Sequence, residues 1–196
     1  MERTYQWEHV DNPLIRNDAT VQFHKAGLSA TGVQLGEGYK ATWELQAPEN
    51  WVTNHVEVNV KGDGWERSLN LVRSEDGKWS AETSEKGTPP PDLAKPGIRQ
   101  DEDLIEALDC DLGLCPLTNT MPIRRLELLE GDVPKTRLIM AWIDMPSLQV
   151  IASDQYYSSL GSNTVRYASG TRGVDVELDV DEDGVVIHYP DLARRI

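Results

Sequence analysis

Asp179, Asp181 and Asp183, followed by Gly184, place three carboxylates at alternate positions, the spacing with which a loop gathers oxygen ligands around calcium. The second half of such a loop is missing. Pro190 stands where the bidentate Glu belongs and the flanking residues alternate like strands, so the segment reads as an acidic hairpin tip. Cys110 and Cys115 form a C-x4-C pair with no second pair and no nearby His to complete a zinc site. They read as free, partly buried thiols, or as a redox disulfide across a short loop. His9, His24, His55 and His188 are scattered, so any nucleophile–base site would have to be assembled entirely by tertiary contacts. Asp109 and Asp111 have the chemistry for acid–base work, yet two residues apart in a strand they are only neighbours on one face. The sequence contains no G-x-S-x-G, P-loop, G-x-G-x-x-G or H-E-x-x-H pattern.

The least ordinary stretch runs from Leu108 to Leu126, where Pro116, Pro122 and Thr118-Asn119-Thr120 sit among large apolar residues. Such a composition suits irregular backbone inside a fold, satisfied by side-chain hydrogen bonds. If the stretch is extended, Arg124 and Arg125 point to opposite faces. One would then reach a buried carboxylate or an anionic ligand head, and the other solvent.

The elements around it are mostly strands. Val56, Val58 and Val60 alternate with Glu57 and Asn59 inside a predicted strand over 52–60. Residues 68–83 predict a hairpin turning at Asp76-Gly77, and 174–189 a stronger one turning at Asp183-Gly184. Strands are predicted over 136–143 and 148–153, bent at Met145-Pro146. Residues 83–100 carry Pro89-Pro90-Pro91 and no apolar period, which predicts a surface loop or flexible insertion. A short helix is predicted over Asp101–Leu108, with acidic residues in its first turn and a Leu104, Ile105, Leu108 stripe.

With 196 residues, 39% of them hydrophobic, the chain can bury one sizeable core, and a single domain over 1–196 is expected. Nineteen Lys and Arg against 33 Asp and Glu give a charge of −14. A nucleic-acid partner is therefore disfavoured, since binding a polyanion needs a basic face, and an anionic membrane surface is disfavoured for the same reason. The acidity is also what a high-salt, halophilic solvation surface would show. Residues 1–7 lack the apolar run of a signal peptide, and no window approaches the ~20 apolar residues of a membrane span, so a cytoplasmic location is expected.

Asp109, Asp111, Pro116, Thr118, Asn119, Thr120, Pro122, Ile123, Arg124, Arg125 and Leu126 stand in the register of a D-x-D…T-P-F-T-N-T-L-P-I-R-R-L signature. Cys115, Leu117 and Met121 replace its Thr, Phe and Leu. On these residues, and on Trp51-Val-Thr, Asp76-Gly-Lys-Trp79, Gln155-Tyr-Tyr157 and Val180–Pro190, the chain resembles the glycolipid-binding family. It departs at 83–107, an apparent insertion. The resemblance implies a mainly β, single-domain spiral β-roll, a long curled antiparallel sheet with one or two short helices, enclosing an apolar interior. It further implies a non-catalytic protein that holds a glycolipid or other amphiphile in an apolar cleft, without metal or cofactor. Asn119, Arg124, Arg125, Gln155 and Tyr156 are the polar set expected to meet the head group. Two other classes stay open: a hydrolase-like enzyme acting on a sugar or ester, which needs a perturbed carboxylate or His in a cleft, and a protein-interaction domain, which needs an exposed apolar patch. An Arg124 or Arg125 paired to a carboxylate and facing no cavity would make the signature structural.

Overall fold

Apolar residues recur at every second position along most of the chain, and a period of two puts them on one face of a strand. The computed structural model, which describes residues 2–161 and 163–196, shows how those faces are joined. The strands are β1 (Glu2–His9), β2 (Arg16–His24), β3 (Gly27–Gly36), β4 (Tyr39–Ala47), β5 (His55–Gly62), β6 (Trp65–Arg73), β7 (Trp79–Gly87) and β8 (Gly97–Ile98). They continue as β9 (Asp109–Leu112), β10 (Thr136–Ile143), β11 (Gln149–Gly161), β12 (Thr164–Ser169), β13 (Val174–Val180), β14 (Val186–Tyr189) and β15 (Ala193–Arg195). One long, unclosed sheet results, in the order β7-β6-β5-β4-β3-β2-β1-β15-β14-β13-β12-β11-β10-β9, with β8 alongside β11. Each chain-consecutive neighbour from β1 to β7 is antiparallel, and β15 beside β1 brings the C-terminus back against the start of the chain. The molecule is thus mainly β, a curled β-roll with, among the described residues, a single short α-helix.

The inner face carries the core. Tyr39, Ala41, Trp43, Leu45 and Ala47 of β4, Val56, Val58 and Val60 of β5, and Trp65, Leu69 and Leu71 of β6 are all buried, while the residues between them face outward. Trp43 lies over Gly32, its cross-strand partner, and Trp65 over Gly62. Glycine at these positions makes room for an indole to lie flat against the neighbouring strand, which covers the bare backbone and tightens the curl. Arg67 is the exception among inward residues. It is buried, donates to Glu85 at 2.8 Å, and bonds the carbonyls of Ala94 (2.5 Å) and Ser147 (3.0 Å), so one guanidinium ties β6 to two segments distant in the chain.

Both predicted hairpins form, with Gly77 and Gly184 at φ of +86° and +79° in their turns. β7 runs on to Gly87, beyond Thr83 where its apolar alternation ends, and β8 pairs in parallel with β11. The helix predicted over Asp101–Leu108 does not form. The Asp103 carboxylate accepts the Ile105 amide, and the Ala107 carbonyl is taken by Arg73 and Trp79 and that of Leu108 by the Thr53 amide. Local side-chain and tertiary partners thus outcompete the helical ladder. The helix that does form lies where irregular or extended backbone was expected: a 3-10 turn at Pro116–Asn119 leads into α1, Thr120–Arg125. Pro116 opens the turn and Pro122 falls in the first turn of α1, where a missing N–H costs nothing. This segment enters the roll and plugs it. Leu117 and Met121 pack into the larger core, made chiefly by the first seven strands, and Ile123 into the smaller one around Tyr157, Tyr167 and Tyr189.

Candidate functional site

β9 lies at one end of the sheet beneath the plug, and all four of its residues are buried. Asp109 and Asp111 therefore bring two carboxyl groups out of water, and each has to find partners nearby. Asp109 takes the Arg125 guanidinium on both oxygens at 2.6 Å, and Arg125 also bonds the Trp51 carbonyl at 3.3 Å. Burial pushes the Asp109 carboxyl up, and Arg125 draws it back. Asp111 accepts the Thr118 hydroxyl on Oδ1 (2.9 Å) and the Gln155 amide on Oδ2 (2.6 Å), with Arg172 at 4.0 Å. Burial holds this carboxyl above its usual range against the pull of Arg172 and the two hydrogen bonds.

The network continues through Tyr157, whose hydroxyl donates to Gln155 Oε1 (3.2 Å) and accepts from Asn119 Nδ2 (2.8 Å). Tyr157, Tyr167 and Tyr189 form an aromatic chain with centroids 5.1 and 5.8 Å apart. Arg172 lies over the Trp142 ring at 5.4 Å. Burial pushes the Tyr189 hydroxyl up to about 12, so these phenols stay neutral donors at any ordinary pH. Between Asp111, Asn119, Tyr167, Arg172 and Tyr189, with leucines and Cys115 on the remaining walls, is a cavity of about 10 Å³, room for roughly one water.

Of the five residues expected to meet a head group, Asn119 and Gln155 join this network directly. Arg125 instead pairs with Asp109. Arg124 bonds the Glu182 carbonyl at 3.4 Å and lies over the Trp51 ring at 5.3 Å. The opposite-face expectation for the two arginines rested on extended backbone; in α1 they diverge as successive helical positions. Tyr156 faces outward, its hydroxyl donating to Asp154 at 2.8 Å and its ring beneath the Lys135 ammonium at 4.5 Å. Strand alternation puts Gln155 and Tyr157 on the inner face of β11 and Tyr156 on the outer. Tyr167, Arg172 and Tyr189 carry no local signal, since β12, the turn after it and β14 meet Asp111 only through the curl.

Cys110 and Cys115 are free and buried. Cys110 is held by Thr53, and burial pushes the Cys115 thiol up to about 12. Among the described residues no helix is long and apolar enough to cross a membrane.

A family model described as "Putative glycolipid-binding" matches residues 4–195. Among solved structures, the crystal structure of a DUF1089-family protein from Pseudomonas aeruginosa is similar over 92% of each chain, with 24% identity and a TM-score of 0.70, a likeness of fold. Comparison with curated proteins gives no match.

Proposed function

We propose, on the premise that the chain belongs to this glycolipid-binding family, that it binds an amphiphile with a hydroxyl-rich head, without catalysis, and that the ligand's chain enters by displacing the 116–125 plug. One observation carries the reading: the plug fills the roll with apolar side chains and is fastened by polar ones. Leu117, Met121 and Ile123 are fully buried, while Arg125–Asp109, Thr118–Asp111 and Asn119–Tyr157 hold the segment down. Hydrophobic burial is non-directional, so an acyl chain and these side chains are interchangeable occupants of one volume. Ten buried methylenes supply about 8 kcal/mol at ~0.8 kcal/mol each, before the costs of association and of moving the plug. Asp111, Gln155 and Arg172, which stay in place when the plug moves, offer the donors and acceptors that sugar hydroxyls require.

An acid–base enzyme is the second reading, favoured by Asp111, a carboxyl held above its usual range beside a cavity. Both of its oxygens already accept hydrogen bonds, which supports a binding role over proton transfer.

The test is thermal unfolding with octyl and decyl glucosides below their micelle concentrations, with glucose and octanol as separate controls. The melting temperature is expected to rise with the glucosides, more for the longer chain, and not with either half alone. Flat melting curves at every chain length, together with a clean apo mass for protein purified without detergent, would refute it.

A further inference from the structure

The outer face of β4–β7 carries a second candidate site, remote from the plug. A groove of about 500 Å³ crosses these four strands, within the range of small-ligand sites. Cross-strand register sorts its side chains into rows. Thr42, Asn59, Ser68 and Ser84 face one another along the floor, all uncharged hydrogen-bonding groups. One level along the strands, Lys40, Lys61, Glu66 and Lys86 form the next row. On the other side stand Glu44, Glu57 and Glu82.

Three of the chain's seven lysines thus line one groove in a protein of net charge −14. Lys40 sits directly opposite Lys61, a like-charge pairing that weakens a sheet unless something anionic lies between. Lys61 is paired with Glu66 at 2.8 Å, whereas among the described residues Lys40 and Lys86 make no ion pair. Lysine on an edge strand such as β7 commonly guards against edge-to-edge pairing, but β4 and β5 are interior strands with no edge to guard.

We propose that this groove binds a soluble anionic sugar of the sugar-phosphate class. Its anionic group lies among Lys40, Lys61 and Lys86, and its hydroxyls lie along the Thr42–Asn59–Ser68–Ser84 floor. A membrane surface is the wrong occupant, because an extended anionic plane would press against the adjoining glutamate row. The groove shares no residue with the plug or with the Asp111 network, so the proposal stands or falls apart from the amphiphile reading.

The experiment is titration of the isotope-labelled full chain with glucose 6-phosphate at low salt, followed by backbone amide shifts. Saturable shifts are expected at 40–42, 59–61, 66–68 and 84–86, with glucose at least tenfold weaker. Lys40→Gln and Lys86→Gln should each weaken binding by up to about tenfold, the scale of one lost charge-assisted hydrogen bond. Both positions are exposed, and the amide spectrum itself reports whether the variants fold. Absence of saturable shifts, shifts confined to other strands, equal binding of inorganic phosphate alone, or indifference to both substitutions would overturn the proposal. Phosphatidylglycerol vesicles that bind the chain and lose their hold in the same variants would overturn the choice of a soluble ligand.

Discussion

Asp109 is fully buried, and its carboxylate meets the Arg125 guanidinium through one hydrogen bond, Nη1 to Oδ1 at 2.6 Å, with Nη2 at 2.6 Å from Oδ2 as an ionic contact. The pair bolts the end of α1 to β9. The charge-assisted hydrogen bond and the low local dielectric make the contact directional, so it sets where the plug sits as well as how strongly it is held.

Removing one partner strands the other. Arg125→Ala should cost about 3–5 kcal/mol in urea unfolding, because an uncompensated carboxylate is left inside the roll. Arg125→Lys keeps the charge without the fork and should cost less. The double change Asp109→Leu with Arg125→Met removes both charges and should regain much of the loss. A cost below about 1 kcal/mol for Arg125→Ala would show that the pair does not hold the plug.

Asp111 gives a pH signature. Its native pKa lies above the unfolded value, so the folded state binds the proton more tightly, and ionising the group costs stability as pH rises from about 3.8 through the native pKa. Asp111→Asn abolishes that titration, whatever fixed penalty the amide brings. The melting temperature of the variant minus that of the parent should therefore grow more positive as pH rises through this window. A difference that stays flat, or that falls with pH, would contradict the raised pKa.

The cross-strand glycines should resist substitution. A Cβ at Gly32 would collide with the Trp43 indole and one at Gly62 with that of Trp65, so each Gly→Ala change should cost about 1–3 kcal/mol of unfolding free energy. Gly131 has nothing within 4 Å of its would-be Cβ, and Gly131→Ala should be close to neutral. Equal effects at the three positions would remove the packing explanation.

Neither thiol should react while the chain is folded. Burial pushes Cys115 up to about 12 and Cys110 well above its ordinary value, and the thiolate is the reactive form. Iodoacetamide at pH 8 should modify the native protein only at the rate of unfolding, accelerating with urea in step with the loss of structure. Prompt labelling without denaturant would mean that β9 opens locally.

The strands with one wet face were legible because alternation is a local pattern: Val56, Val58 and Val60, or Val176, Leu178 and Val180, declare their inward face within a few residues. β7 faded from view after Thr83 because that end is exposed on both faces, and β9 because Asp-Cys-Asp-Leu is buried on both, so neither alternates. The composition of the plug marks it as unusual without marking its helix. Six residues are too few to show a 3.6-residue period, and Pro122 within them, with Pro116 just before, argues locally against a helix that packing enforces. Conversely, the acidic, amphipathic stretch at 101–108 had helical credentials that Arg73, Trp79 and Thr53 override.

The sequence by itself determined the β architecture, the turns at Gly77 and Gly184, the acidity and the family, since each depends on residue type at short spacing. Only the tertiary structure decided that Arg125 neutralises Asp109, that Gln155 and not Tyr156 faces inward, and that Asp111 meets Tyr167, Arg172 and Tyr189. It also decided that lysines from three strands share one groove. These are meetings between residues up to 78 positions apart, fixed by the register and curl of one continuous sheet, to which no single stretch of chain holds the key.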